Sequence, residues 1–192
     1  NELGFSLTTA SIGLVTLMMA SASNTSSALA ITQEGSEFVL LKTAPADSTN
    51  MAWAKIFFNL TFSTIMIVLS FVVVTIFCDR LTDLGTVWCL CGGTILVNAS
   101  LILWSFELDI KNPSLREYAS SNDATAIKNV STSIRIGLVM SFVYAVIVVL
   151  GLYLWGGLIA KLLILGFPVL LLGVRFFFFW NYLKYVFPRI EY

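Results

Sequence analysis

Residues 136–180 read IGLVMSFVYAVIVVLGLYLWGGLIAKLLILGFPVLLLGVRFFFFW, and only Lys161 and Arg175 carry a charge in this stretch. A helix crosses the hydrocarbon layer of a bilayer in about 20 residues, so an apolar run of this length can cross twice. The core of a water-soluble protein of this size does not require such a run. The stretch therefore predicts a membrane protein, and the other apolar runs are expected to be further membrane helices.

The composition predicts the same class. Of the 192 residues, 58% are hydrophobic and 11% are charged, whereas soluble domains have about 25% charged residues. The apolar runs are continuous, unlike the alternating segments of about ten residues in a transmembrane β-barrel. We therefore predict an all-α, polytopic transmembrane helical bundle that forms a single integral membrane domain over residues 1–192.

Five transmembrane helices are predicted, at about residues 4–22, 53–78, 85–106, 136–155 and 158–180. The last two form a hairpin at Gly156-Gly157, because glycine is a poor helix former. A charged connector, residues 107–135, separates the third helix from the fourth. The alternative is four spans, in which one helix runs to about Leu165 and Pro168 starts an aromatic helix at the membrane interface.

The distribution of Lys and Arg favours five spans. That topology leaves Arg80 and Lys161 on one side and gathers most other basic residues on the side of the first and third connectors. Such a bias is typical of cytoplasmic loops, so these two connectors are expected to face inward. Four spans would leave the two sides nearly balanced.

Small side chains recur at helical spacing in two segments. The first segment has Thr9, Gly13, Thr16, Ala20 and Ser23, and the fourth has Gly137, Ser141 and Ala145. Because apolar contact drives little helix association in lipid, small residues that let backbones approach are typical of packing faces. Both faces are expected to contact a neighbouring helix. The alternative for the first segment is the apolar core of a signal peptide, which its length and lack of a basic flank disfavour.

Polar residues lie inside the second and third segments. Asn59, Ser63 and Ser70 share one helical face, as do Thr94, Asn98 and Ser105. An amide in hydrocarbon requires a hydrogen-bond partner, so Asn59 and Asn98 are predicted to face protein. The set Asn59, Ser63, Asn98 and Ser105 is interpreted either as hydrogen-bonding contacts between helices or as the lining of a pore.

Arg175 is the cation deepest inside an apolar run. Centred in lipid, an arginine costs about 2.5–3.5 kcal/mol on insertion scales. It precedes Trp180 by five residues, roughly 7.5 Å along a helix, so it can extend toward the interface. With five spans that interface also holds Glu107 and Asp109. The sequence therefore predicts an ion pair between Arg175 and Glu107, with Asp109 as the alternative partner.

Reactive side chains are few. The chain has no histidine, which excludes His-ligated haem, His-bound zinc and imidazole general-base catalysis. The three cysteines, Cys78, Cys89 and Cys91, surround the tight second connector. They are interpreted as palmitoylation sites, as a Cys78–Cys89 disulfide or as small apolar packing residues. No catalytic, cofactor or metal site is predicted.

The connector pattern, with a long first, a tight second and a charged third connector, resembles the claudin-like and MARVEL four-span layouts. Claudins carry a Trp and a Cys pair in the first outer loop. This chain departs from that pattern, because it has no Cys in residues 24–51. The resemblance implies a membrane-organising protein.

Three functions follow from this composition. The first is a non-catalytic subunit or scaffold of a larger membrane complex, with lipids and other membrane subunits as partners. The second is a self-associating pore, and the third is a membrane enzyme that uses a partner's cofactor. Nucleic acid is not expected as a partner, since the chain has no basic run and equal numbers of acidic and basic residues.

Overall fold

The computed structural model describes residues 2–37, 48–77, 83–121, 127–155 and 157–187. Within these ranges, the regular structure is helical. The α-helices are α1 Glu2–Ser23, α2 Ser48–Phe77, α3 Leu84–Lys111, α4 Leu115–Ser121, α5 Lys128–Leu154 and α6 Gly157–Tyr185. Two 3₁₀ helices, Asn24–Leu29 and Thr32–Glu37, follow α1, and we call Asn24–Glu37 the 3₁₀ segment.

Five helical stretches are long and apolar enough to cross a membrane, which suggests a multi-pass membrane protein. They are α2, α3, α5, α6 and the stretch Leu7–Gly35, which joins most of α1 to the 3₁₀ segment. The described helices favour five apolar stretches over the four-span alternative, and the claudin-like layout stays an untested resemblance. α5 ends at Leu154, Gly157 starts α6 with a φ of +50°, and Pro168 lies inside α6.

α3 is the central helix of the bundle. Its span is 67% buried, whereas the spans of α2 and α6 are each 17% buried. α1, α3 and α6 run in one direction, and α2 and α5 run in the other. We call the end where α3 and α6 start the hairpin end, and the end where they finish the connector end. At the connector end, Phe179 of α6 packs edge-on against Trp53 of α2 and Phe106 of α3.

At the hairpin end, Asp83 joins the starts of α3 and α6. Its carboxylate accepts hydrogen bonds from the backbone N–H groups of Gly85, at 3.0 Å, and Thr86, at 3.3 Å, and so caps α3. The hydroxyl of Thr86 also donates to Asp83 and holds the pKa of the carboxyl below its ordinary value. Lys161 of α6 lies 3.4 Å from the same carboxylate.

The middle of α6 depends on a hydrogen bond from α5. Pro168 has no N–H, so the carbonyl of Ile164, four residues earlier, loses its helical donor. The hydroxyl of Tyr144, a fully buried side chain, donates to that carbonyl at 3.0 Å. A Cβ at Gly93 of α3 would lie 2.0 Å from the Tyr144 hydroxyl and 2.7 Å from the Ile164 oxygen. Gly93 therefore provides the space in which three helices meet.

The predicted small-residue faces lie where helices approach. On α5, a Cβ at Gly137 would lie 2.6 Å from the Cβ of Ser21 on α1, and Ser141 is fully buried. On α1, a Cβ at Gly13 would lie 3.3 Å from Leu90 of α3. The two faces thus bring α1 close to both α5 and α3. Ala145 is half-buried and borders a shallow pocket between α1 and α5.

Ser141→Leu is expected to lower the stability of the bundle by about 1–3 kcal/mol, because a larger side chain has to be forced into a filled site. The measurement is the thermal midpoint of the purified protein in mild detergent. Val139→Leu is the matched control, since Val139 is exposed on the same helix. Equal midpoints for the two variants would show that Ser141 is not tightly packed.

Four helix boundaries lie five or more residues outside the predicted spans. α2 begins at Ser48 instead of near residue 53, and α6 ends at Tyr185 instead of near residue 180. α3 continues to Lys111 instead of ending near Phe106, and α5 begins at Lys128, eight residues before Ile136. The charged connector is consequently shorter than residues 107–135, and α4 begins just after Ser114 within it. α3 can extend past its apolar run because Glu107 and Asp109 find partners within the bundle.

Candidate functional site

A seam of polar side chains follows one face of α3 from its middle to the connector end. It consists of Thr94, Asn98, Ser105 and Asp109, and each of the four is at most 4% exposed. The spacings of four, seven and four residues place them in one row, which is roughly 22 Å long. Each neighbouring element contributes polar groups to this row.

At the inner end of the seam, the amide of Asn98 bonds to two elements. It accepts a hydrogen bond from Nδ2 of Asn24, at 2.8 Å, and donates to the hydroxyl of Ser63 on α2, at 2.7 Å. Asn59 of α2 donates to the hydroxyl of Ser27, also at 2.8 Å. The structure therefore brings Asn59, Ser63 and Asn98 together, as a cluster around the start of the 3₁₀ segment.

Farther along the seam, the hydroxyls of Ser105 and Ser133 of α5 lie 2.6 Å apart. Ser105 also donates to the carbonyl of Leu101. Of the four residues predicted as helix contacts or pore lining, Ser63, Asn98 and Ser105 are buried and Asn59 is half-buried. All four make hydrogen bonds within one chain. Ser70, predicted to face inward with Asn59, is exposed instead.

At the outer end of the seam, the buried carboxylate of Asp109 holds the start of the second 3₁₀ helix. It accepts from the backbone N–H of Ile31, at 2.6 Å, and from both the N–H and the hydroxyl of Thr32. Asn129 of α5 is a fourth donor, at 3.3 Å. Asp109 thus acts as an N-cap supplied by another helix, and it neutralises the positive end of the 3₁₀ helix.

Lys55 of α2 holds the end of the first 3₁₀ helix. Its ammonium donates to the carbonyl of Ala30 and forms an ion pair with Glu34. A cation is favourable at this position because the last carbonyls of a helix carry partial negative charge. Transporters use such breaks in membrane helices to bind ions and substrates. In this chain, Lys55 bonds to the carbonyl end of the first 3₁₀ helix and Asp109 bonds to the N–H end of the second, where a transporter would bind an ion or a substrate.

The 3₁₀ segment is the part of this site that the sequence prediction missed. Its Ser, Thr and Asn content is typical of an exposed connector, yet Ala28, Leu29, Ala30, Ile31 and Thr32 are each at most 3% exposed. Non-helical backbone at membrane depth occurs only where protein or water covers it. The signal in the sequence was the absence of charge from Asn24 to Gln33.

Arg175 and Glu107 lie together at the connector end. Nη1 of Arg175 is 3.5 Å from Oε2 of Glu107, and the guanidinium carbon is 3.3 Å from the ring centroid of Trp104. Glu107 Oε1 and Arg175 Nε are buried and have no hydrogen-bond partner among the described residues. Asp109, the alternative partner, instead holds the 3₁₀ segment. The pair joins a buried carboxylate to a half-buried guanidinium and includes a cation–π contact.

The two described cysteines lie in different environments. Cys91 belongs to the apolar core, and Cys89 is half-buried. Cys78 lies outside the described residues, so the proposed disulfide cannot be placed. Burial favours the packing interpretation for Cys91, because a lipidated thiol has to be accessible to an enzyme.

Two depressions open on the outer surface of the described bundle. The larger has a volume of about 780 Å³ and lies between α1, from Leu7 to Met19, and α2, from Met66 to Val74. The hydroxyls of Ser11 and Ser70 in its wall each donate to the carbonyl four residues earlier. The smaller, of about 280 Å³, lies between α1 and α5.

The polar side chains described above form hydrogen-bonded networks within the bundle. Among the described residues, no three His, Cys, Asp or Glu side chains gather as potential metal ligands. Comparison of the chain with protein-family models, curated proteins and solved structures found no match. The seam, the 3₁₀ segment and the groove between α1 and α2 are therefore the features on which a function can be argued.

Replacing Asn98 by leucine is expected to cost more stability than replacing Asn59 by leucine. The Asn98 variant leaves Nδ2 of the buried Asn24 without its acceptor, at about 1–3 kcal/mol, whereas Ser63 keeps its bond to the carbonyl of Asn59. Asn59 is half-buried, and its loss leaves the hydroxyl of Ser27 without one donor instead of leaving a buried amide without its acceptor. Denaturant titration of both variants in detergent measures the difference. A larger loss for Asn59 would contradict this interpretation of the seam.

Proposed function

We propose that the chain is a non-catalytic, multi-pass membrane protein that serves as an accessory or scaffold subunit of a larger membrane complex. One observation carries this proposal. At the break between the two 3₁₀ helices, Lys55 donates to the carbonyl of Ala30, and Asp109 accepts from the N–H of Ile31. Both charges at this helix break hold the chain's own backbone. Such a network stabilises a shape and specifies one packing of the helices.

The groove between α1 and α2 is the surface that we assign to a partner. The hydroxyls of Ser11, Thr16 and Ser70 are satisfied by their own backbones. These small side chains let a partner helix approach the backbones of α1 and α2 closely, and they leave no hydroxyl donor without an acceptor. Close approach of backbones through small residues is typical of helix association in lipid. A transmembrane helix of a partner subunit is the proposed occupant.

Native mass measurement of the protein, extracted from its own membrane in mild detergent, tests this function. A stoichiometric complex with a different subunit is the expected result. Ser11→Leu, which fills the groove, is expected to release the subunit, whereas Val139→Leu on the exposed face of α5 retains it. A monomer or a homo-oligomer alone would contradict the proposal.

The pore remains the second proposal and is less favoured. A path lined by Asn59, Ser63, Asn98 and Ser105 requires these side chains to face a shared opening, whereas three of them are buried inside one chain. Self-association would bring exposed apolar side chains together instead. A homo-oligomer that conducts ions in planar bilayers would favour the pore over the accessory role.

A further inference from the structure

We propose that the 3₁₀ segment is a plug that leaves the bundle reversibly and opens a water-filled cleft along the seam of α3. The cleft opens at the connector end and reaches the middle of the helix. This inference is independent of the accessory role, because it concerns a motion within one chain. It starts from the observation that a buried 3₁₀ segment interrupts the α-helix of the first candidate span.

The segment has a turning point at each end. At Asn24 the α-helical pattern of α1 changes to the 3₁₀ pattern, whose hydrogen bonds have poorer geometry. At Gly35 the backbone has a φ of +50° and a ψ of −127°, a conformation that glycine adopts without a steric penalty. The chain between these points can therefore move without unwinding α1 or α2.

Side chains of other helices hold the segment. Asn98 bonds to its first residue, Lys55 to Ala30, and Asp109 to Ile31 and Thr32. Asp109 is fully buried and Lys55 is half-buried, and the hydrogen bonds that the two make in the closed state offset the cost of removing charge from water. When the segment leaves, water reaches both charges. Opening is thus easier here than the removal of an apolar helix of the same length.

The seam keeps its own bonds when the segment leaves. Asn98 still donates to Ser63, and Ser105 still contacts Ser133, because none of these residues belongs to the segment. A polar surface of this kind is stable against water. Toward the hairpin end, α3 packs into the apolar cluster of Leu17, Leu90 and Val148. The cleft therefore ends near Thr94 and does not cross the bundle.

Thiol labelling in liposomes tests the proposal. In a background with Cys78, Cys89 and Cys91 replaced by serine, Ser63→Cys reports on the cleft and Val148→Cys reports on the core. A membrane-impermeant maleimide is present on both sides of the vesicle membrane. Asp109→Asn and Lys55→Met are each expected to raise the labelling rate at position 63 at least tenfold. Asp83→Asn, at the hairpin end, is the matched control and leaves that rate unchanged.

Two outcomes would overturn the plug. One is an unchanged labelling rate at position 63 in both plug variants. The other is an equal rise at position 148, which would show unfolding of the whole bundle. Hydrogen exchange of the unaltered protein provides a test that needs no variant. Amides of residues 24–37 are expected to exchange at least tenfold faster than those of residues 94–105 in α3, and equal rates would contradict the proposal.

Discussion

Gly93→Ala is expected to leave little folded, monodisperse protein in detergent. The new Cβ would lie 2.0 Å from the Tyr144 hydroxyl and 2.7 Å from the backbone oxygen of Ile164. Overpacking of a core costs about 1–3 kcal/mol. Displacement of Tyr144 also leaves the Ile164 carbonyl without a donor, at about 1–3 kcal/mol more. The sum is a large part of the about 5–15 kcal/mol by which a protein is stable.

Two glycines provide matched controls for this variant. A Cβ at Gly92, the preceding residue, would make an ordinary contact of 3.6 Å with Leu165, and one at Gly166 would meet nothing within 4 Å. Gly92→Ala and Gly166→Ala are expected to retain the elution profile and thermal midpoint of the unaltered protein. Tyr144→Phe removes only the hydrogen bond to Ile164. Its thermal midpoint should lie between that of the two control variants and that of Gly93→Ala. A stable Gly93→Ala protein would show that α3, α5 and α6 are not packed as described.

Arg175→Leu is the second substitution with a large expected effect. It leaves the Glu107 carboxylate buried without its cation, and breaking a buried pair from one side costs about 3–5 kcal/mol. The added change Glu107→Leu is expected to restore most of that loss, because an apolar pair of similar volume has no charge to desolvate. Recovery in the double variant is therefore the decisive result.

Denaturant unfolding is measured for the unaltered protein, Arg175→Leu, Glu107→Leu and the double variant. These four free energies of unfolding yield the coupling free energy between Arg175 and Glu107. The charge exchange Arg175→Glu with Glu107→Arg is a further test, and its expression should exceed that of either single variant. The matched control is Lys184→Leu, an exposed cation of the same helix, which should change stability by less than about 0.5 kcal/mol. Additive losses in the double variant would show that Arg175 and Glu107 do not interact.

The charged residues near the ends of apolar runs were the easiest part to predict from sequence. Few charges occur there, so the side of the membrane on which each lies restricts its partners. This reasoning placed Arg175 with Glu107, and the structure puts the two 3.5 Å apart. The proximity of Arg175 and Glu107 also favours five spans, because the four-span topology would put these two residues near opposite faces of the membrane.

Residues whose role depends on another helix were missed. Tyr144 lies in an apolar run, and its task is defined by Pro168, a residue 24 positions away. Asp109 was placed outside the third helix because a carboxylate in an apolar environment is unfavourable. The donors that make its burial tolerable belong to residues 31, 32 and 129. No local pattern in the sequence indicates that hydrogen-bond donors far away in the chain will stabilise a buried carboxylate.

The bonds of the 3₁₀ segment also have a consequence for the order in which the protein is made. Asn24 is synthesised 74 residues before Asn98, and Ile31 is synthesised 78 residues before Asp109. Until α3 has emerged from the ribosome, the segment lacks its bonds to Asn98 and Asp109, so we expect it to remain at the water interface. The first apolar stretch is then expected to reach its final packing only after the third helix arrives. A chain truncated before α3 would consequently expose residues 24–37 to proteases at the membrane surface.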